Sequence, residues 1–121
     1  MRLDSIHLAL LVGPLAVALA CGGASAAQDS ASAGKAIALN SAKGNCMACH
    51  AMPGIAENVL PGNVGMPLVN VKSLVRSKRE LRAHIWDQTR FNKDTVMPPF
   101  GKHRILTDEE INEVTDFIYG L

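Results

Sequence analysis

Cys46, Cys49 and His50 lie within five positions of one another in the stretch GNCMACHAMPG, residues 44–54. In a helical turn residues i and i+3 share a face, and i+4 follows around the same turn. Two thiols at that spacing can meet the two vinyl groups of one haem and form thioethers, while the histidine directly after them aims its imidazole at the iron. The pattern predicts one covalent haem c, with Cys46 and Cys49 as anchors and His50 as an axial ligand. Three other chemistries use the same residue types. A structural zinc site needs four ligands, and the chain offers no second cysteine pair, only remote histidines. A thioredoxin-like redox pair needs alternating strands and helices, a pattern that is missing. A plain disulfide accounts for Cys46 and Cys49 but leaves His50 idle.

A ligand for the opposite face must come from chain that has travelled round the haem edge. Met47 and Met52 are too near His50 in sequence to reach across. Met97 stands in TVMPPFG, where two prolines fix the backbone and remove amide donors, giving a stiff strap for a soft thioether. Met66, His84 and His103 are the alternatives, together with an open site. Met66 reads otherwise as core filler and His84 as a surface or packing residue on a helix. A His50/Met97 pair raises the reduction potential and closes the iron to substrate, which predicts electron transfer rather than bond chemistry, with no catalytic residue in this chain. The second ring nitrogen of His50 needs a hydrogen-bond acceptor, and the Pro61–Gly65 segment is a candidate source of that carbonyl.

These groups must be positioned by a small body. The chain has 121 residues, and its start reads as an address: Arg2, then the apolar run IHLALLVGPLAVALA, then small residues in GGASAAQDS. That is a secretory signal peptide over residues 1–27, cut near Ala26 or Ala27, too short and interrupted for a membrane span. Cys21 lies within it, and ALAC loosely resembles a lipobox, so a lipidated N-terminus is the alternative. Export places the protein in the periplasm. The remaining domain, residues 28–121, is marginal for a core without a staple or cofactor.

Helices account for most of it. The first is expected over about Ala33–Ala42, capped by Ser30 or Ser32 and stopped at Gly44, with small residues that let another helix cross closely. An irregular stretch rich in Pro and Gly follows His50. A helix begins within SKRELRAHIWDQTR, where Ser77 and Glu80 have capping-box spacing and Leu81 and Ile85 share a face. The ending TDEEINEVTDFIYGL repeats the device with Thr107 and Glu110, followed by the stripe Ile111, Val114, Ile118. No period-two strand is evident, so the fold class is all-α.

Net charge is +1, which gives no bulk attraction to nucleic acid or an anionic membrane. The charge is uneven, with seven basic against two acidic residues over 72–93, and five acids without a base over 108–116. Two solvated helix faces explain this, and so do separate patches for docking partners.

The N-terminal helix, CxxCH, Met-Pro strap and C-terminal helix together resemble a class I cytochrome c. More narrowly, GNCMACHAMPG, LPGNVGMPL, LRAHIWDQTRFNKDTVMPPFGKHRILTDEEI and VTDFIYGL resemble the SoxX family, over about Gly44 to Leu121. SoxX is the monohaem subunit of the SoxAX cytochrome of thiosulfate oxidation. The resemblance implies a haem on Cys46 and Cys49 with His50 and Met97 as axial ligands, and N- and C-terminal helices packed around it. It also implies a heterodimer with SoxA, which holds the catalytic site that couples thiosulfate to a cysteine of the carrier SoxY. This chain would pass the released electrons to a soluble cytochrome c. Met66 stands where the family's GNVGPPL form has proline. A free-standing shuttle of the same fold is the alternative.

Overall fold

Gly34 sets the central packing of the molecule. In the computed structural model, which describes residues 23–55, 60 and 62–121, it lies where helix α1 (Gly23–Leu39) crosses helix α4 (Asp108–Tyr119). A Cβ at Gly34 would sit 2.0 Å from the carbonyl oxygen of Glu113, so only glycine lets the two backbones approach this closely. The small residues of α1 thus do what the sequence suggests. The leader run and Cys21 fall outside the described residues.

α1 differs from expectation at both ends. It begins upstream of Ser30, whose hydroxyl donates to Asp116 Oδ2 at 2.8 Å and ties α1 to α4 instead of capping. It ends at Leu39 because Asn40 competes for the backbone. Its side-chain oxygen accepts Ala42 N–H at 2.8 Å, and its carbonyl accepts Lys43 N–H and Asn45 N–H at 3.0 Å each.

α4 follows its sequence signals closely. Thr107 Oγ1 accepts Glu110 N–H at 3.1 Å, while Glu110 Oε2 accepts Thr107 N–H at 3.0 Å, a complete capping box. Ile111, Val114 and Ile118 are buried against the core, each worth about 1.5–3 kcal/mol of transfer free energy. Thr115, also buried, satisfies its hydroxyl by donating to the Ile111 carbonyl at 2.6 Å.

A four-residue helix, α2 (Val71–Leu74), had no strong sequence signal; the Leu121 carbonyl accepts Asn70 N–H at 2.8 Å and pins its start to the C-terminus. α3 (Lys78–Trp86) starts at Ser77, whose hydroxyl accepts Glu80 N–H at 3.2 Å. The reciprocal bond shifts by one residue, because Glu80 Oε2 accepts from Arg76 N–H at 2.7 Å. Leu81 and Ile85 are buried as their spacing predicts.

Among the described residues there is no strand, and no helix is long and apolar enough to cross a membrane. The basic and acidic stretches meet each other. Asp116 pairs with Lys78 at 2.8 Å and Asp108 with Arg82 at 2.6 Å, while Glu110 pairs with Lys43, outside the basic stretch. The two blocks therefore act partly as a clamp between α3 and α4, and α4 does not present all five acids as a free patch.

Candidate functional site

The motif opens on a backbone reversal. Asn45 adopts a left-handed conformation (φ 46°), a residue type that tolerates it, and turns the chain into a short 3-10 turn, Cys46–Ala48. The Cys46 carbonyl accepts both Cys49 N–H at 3.2 Å and His50 N–H at 2.9 Å. The two sulfurs and the imidazole are thus carried on one turn, as the i, i+3, i+4 spacing requires. Met47, between the cysteines, points into the core and is buried.

The loop after the motif returns along it in fixed register. Gly62 N–H donates to the Met47 carbonyl at 2.9 Å, Gly65 N–H to Cys49 at 2.8 Å and Leu68 N–H to Ala51 at 2.8 Å. A Cβ at Gly65 would meet the His50 ring, 2.4 Å from Cε1 and 2.6 Å from Nδ1. The glycine therefore serves close approach to the imidazole rather than a simple turn.

His50 Nδ1 lies 2.7 Å from the Met66 carbonyl oxygen. A carbonyl only accepts, so Nδ1 carries the proton and the lone pair is on Nε2, the tautomer that ligates a metal. The orienting carbonyl is one residue beyond the Pro61–Gly65 segment singled out from sequence; Pro61 itself is outside the described residues. Met66 contributes here through its backbone. Its side chain is 56% exposed, which corrects the expectation of core filler.

Both cysteines are free thiols, partly buried. Burial pushes the Cys46 thiol up to about 11; its own backbone N–H pulls the other way and Cys49 adds a smaller push. A thiol held protonated at neutral pH is a poor nucleophile, unlike the low-pKa thiol of a redox-active pair. Among the described residues there is no cluster of three or more His, Cys, Asp or Glu side chains that could hold a metal ion. The donors present, two thiols and one imidazole with a fixed tautomer, match covalent haem attachment. Large apolar side chains in the flanking loops, Val64, Met66, Phe91 and Val96, are left exposed by the chain and suit a large apolar cofactor.

Met97 belongs to a separate strap, partly buried and packed against the core, with its N–H donating to Thr95 Oγ1 at 3.1 Å. His84 is occupied in packing: Nδ1 is 2.7 Å from Gln88 Oε1 and its ring centroid is 3.9 Å from that of Phe91. His103 sits on an exposed turn.

The profile of the family described as cytochrome c oxidase, cbb3-type, subunit III matches residues 29–118. The chain belongs to this family of cytochrome c domains. The match spans the motif, the strap and both terminal helices, and with the helical architecture it establishes a class I cytochrome c fold. A search of curated proteins returns no match. Membership makes the protein an electron-transfer haem protein with haem c held covalently, and Cys46-x-x-Cys49 with His50 is the attachment motif it offers.

Proposed function

We propose that the chain binds a single haem through Cys46 and Cys49, with His50 and Met97 as axial ligands, and works in the periplasm as the electron-accepting subunit of a SoxAX-type L-cysteine S-thiosulfotransferase. The observation that carries the electron-transfer reading is the 2.7 Å bond between His50 Nδ1 and the Met66 carbonyl, which prepares Nε2 for iron. When bound, the haem supplies a one-electron couple. The chain's own residues anchor it, orient the proximal imidazole and present a thioether on a proline-stiffened strap. His50 and Met97 would hold the iron and leave no place for substrate at the metal, so sulfur chemistry would belong to a SoxA partner. This chain takes the electrons released when thiosulfate is joined to a SoxY cysteine and hands them to a soluble cytochrome c.

The sequence resemblance over residues 44–121 supports the sulfur-oxidation role. So do the exposed apolar side chains of Leu60, Val69 and Leu74, in and before α2, as in a subunit that buries surface against a partner. A free-standing periplasmic shuttle is the second reading. The family match, which carries no sulfur-specific feature, is equally consistent with it. Purification from the native periplasm separates them: a stoichiometric complex with a SoxA-type haem partner supports the subunit, while a lone monomer exchanging electrons with many acceptors supports the shuttle. Met97→Leu should abolish the iron–methionine absorption band; its persistence would refute Met97 as ligand.

A further inference from the structure

The strap carrying Met97 has few ties of its own. At its start Asn92 Oδ1 accepts Asp94 N–H at 3.0 Å, and Met97 N–H reaches only as far as Thr95 Oγ1. Pro98 and Pro99 have no N–H to give. The far end, by contrast, is clamped to the end of α3. The Trp86 carbonyl accepts both Gly101 N–H at 3.1 Å and Lys102 N–H at 3.3 Å. Beside it, Asp87 is 3% exposed; its Oδ1 accepts from the Thr89 amide and hydroxyl, and its Oδ2 faces Lys102 Nζ at 3.2 Å.

We propose that Asp87, through its ion pair with Lys102, is a positioning residue that fixes where the strap presents the Met97 thioether. The inference rests on the reading of Met97 as the second axial ligand. Pro98 and Pro99 join Met97 stiffly to Phe100, which is buried and whose carbonyl accepts Ile105 N–H at 2.9 Å and Leu106 N–H at 3.1 Å, so the position of this turn, which the Asp87–Lys102 pair fixes from the α3 side, is passed on to Met97. The Thr89 hydroxyl and then Lys102 hold the Asp87 carboxyl below the usual carboxylate range against the upward push of burial, so it is ionised at neutral pH. Asp87 is too buried for solvent to replace Lys102 fully, which is what makes this pair more than a surface ornament.

The test uses the ferric haem-loaded protein and free imidazole as a competing ligand, with the iron–methionine band as readout. Asp87→Asn keeps the Thr89 contacts and removes the charge; Lys102→Gln removes the other partner. Each should bind imidazole about fivefold tighter, the scale of one such pair, the double variant no tighter than the tighter single one, and Lys102→Arg should restore the native value. Arg82→Gln, which breaks the α3–α4 pair with Asp108, is the control. It should lower stability and leave imidazole affinity unchanged. Native affinity in both Asp87→Asn and Lys102→Gln, with the band present, overturns the proposal, and so does an equal shift in Arg82→Gln. Should Asp87→Asn fail to take up haem, Lys102→Gln decides alone, since that side chain is half exposed. A band that survives Met97→Leu overturns the ligand reading, and this inference with it, and is recognised separately because it needs no change at Asp87.

Discussion

Replacing Gly65 with alanine tests the central geometry of the site. The new Cβ would lie 2.4 Å from Cε1, 2.6 Å from Nδ1 and 2.7 Å from Nε2 of His50, all well inside van der Waals contact. Gly65 is not among the residues with positive φ, so its backbone accepts alanine without strain. The substitution would even stabilise by about 0.4–1 kcal/mol through the unfolded chain. Against that stand overpacking, about 1–3 kcal/mol, and loss of the His50–Met66 hydrogen bond when the ring is displaced, about 0.5–1.5 kcal/mol. A free imidazole could swing aside, but with His50 on iron and its turn anchored by thioethers, as proposed, the ring would be held at both ends. The net expectation is a loss of about 2 kcal/mol, or roughly 10 °C in Tm for a domain of this size. Guanidinium unfolding of the haem-loaded protein, followed by fluorescence of the single Trp86, measures the first, and a change in reduction potential reports the ring. Gly54→Ala is the comparison, because Gly54 has φ 78° with no atom within 4 Å of a new Cβ. It should cost stability through backbone strain and leave the potential alone. A Gly65→Ala protein with native stability and potential would show that the imidazole is not pinned as described.

Gly34→Ala should gain about 1 kcal/mol of helix propensity and lose more, about 3 kcal/mol, because the atom it meets is the Glu113 carbonyl oxygen and backbone cannot move aside; an unchanged denaturation midpoint would refute the close crossing. Acid should weaken the fold. The Lys43 ammonium, followed by the Thr107 amide, holds Glu110 below its ordinary 4.5, while at Asp116 burial pushes up and the Lys78 ammonium and Ser30 hydroxyl prevail, holding it below 3.8. Both groups bind protons more readily in the unfolded chain, so their stabilisation is complete above the ordinary values and disappears as pH falls through the folded ones. Glu110→Gln should flatten the acid limb of stability against pH, and an unaltered slope would sink the assignment. Cys46→Ala with Cys49→Ala should give a colourless, poorly folded product; a stable, cooperatively unfolding apo-protein would show that the core does not depend on the cofactor.

What could be read from the sequence was whatever local chemistry decides. Thr107 and Glu110 form their capping box, Ile111, Val114 and Ile118 face the core, and the CxxCH turn carries its three groups together. The features that escaped depend on contacts distant in sequence. Ser30 has the chemistry of a helix cap, and only the presence of Asp116 across the α1–α4 crossing diverts its hydroxyl. Met66 has the composition of a core residue, yet its role is a backbone carbonyl set by the register of residues 62–68 along the motif. Asp87 offered one local clue, an Asx-type spacing to Thr89, but its partner Lys102 lies beyond the strap. The segregation of basic and acidic residues pointed to separate surfaces, whereas α3 and α4 bring members of both blocks together.

The two faces of the site are built on different principles. On the His50 side, backbone hydrogen bonds lock residues 62–68 to residues 47–51 over the whole length of the contact, and the imidazole is held between Gly65 and the Met66 carbonyl. On the Met97 side, the strap is held by the Asn92 turn at its start and by buried Phe100 and the Trp86–Asp87 clamp at its end, with proline stiffness and few hydrogen bonds between. The His50 imidazole therefore lies against a segment locked along its whole length, while Met97 depends on its packing against the core and on the anchors at the ends of its strap. On the proposed ligation, this asymmetry would make the thioether the more easily displaced of the two ligands, and the end of α3 a place where changes outside the haem pocket could reach it.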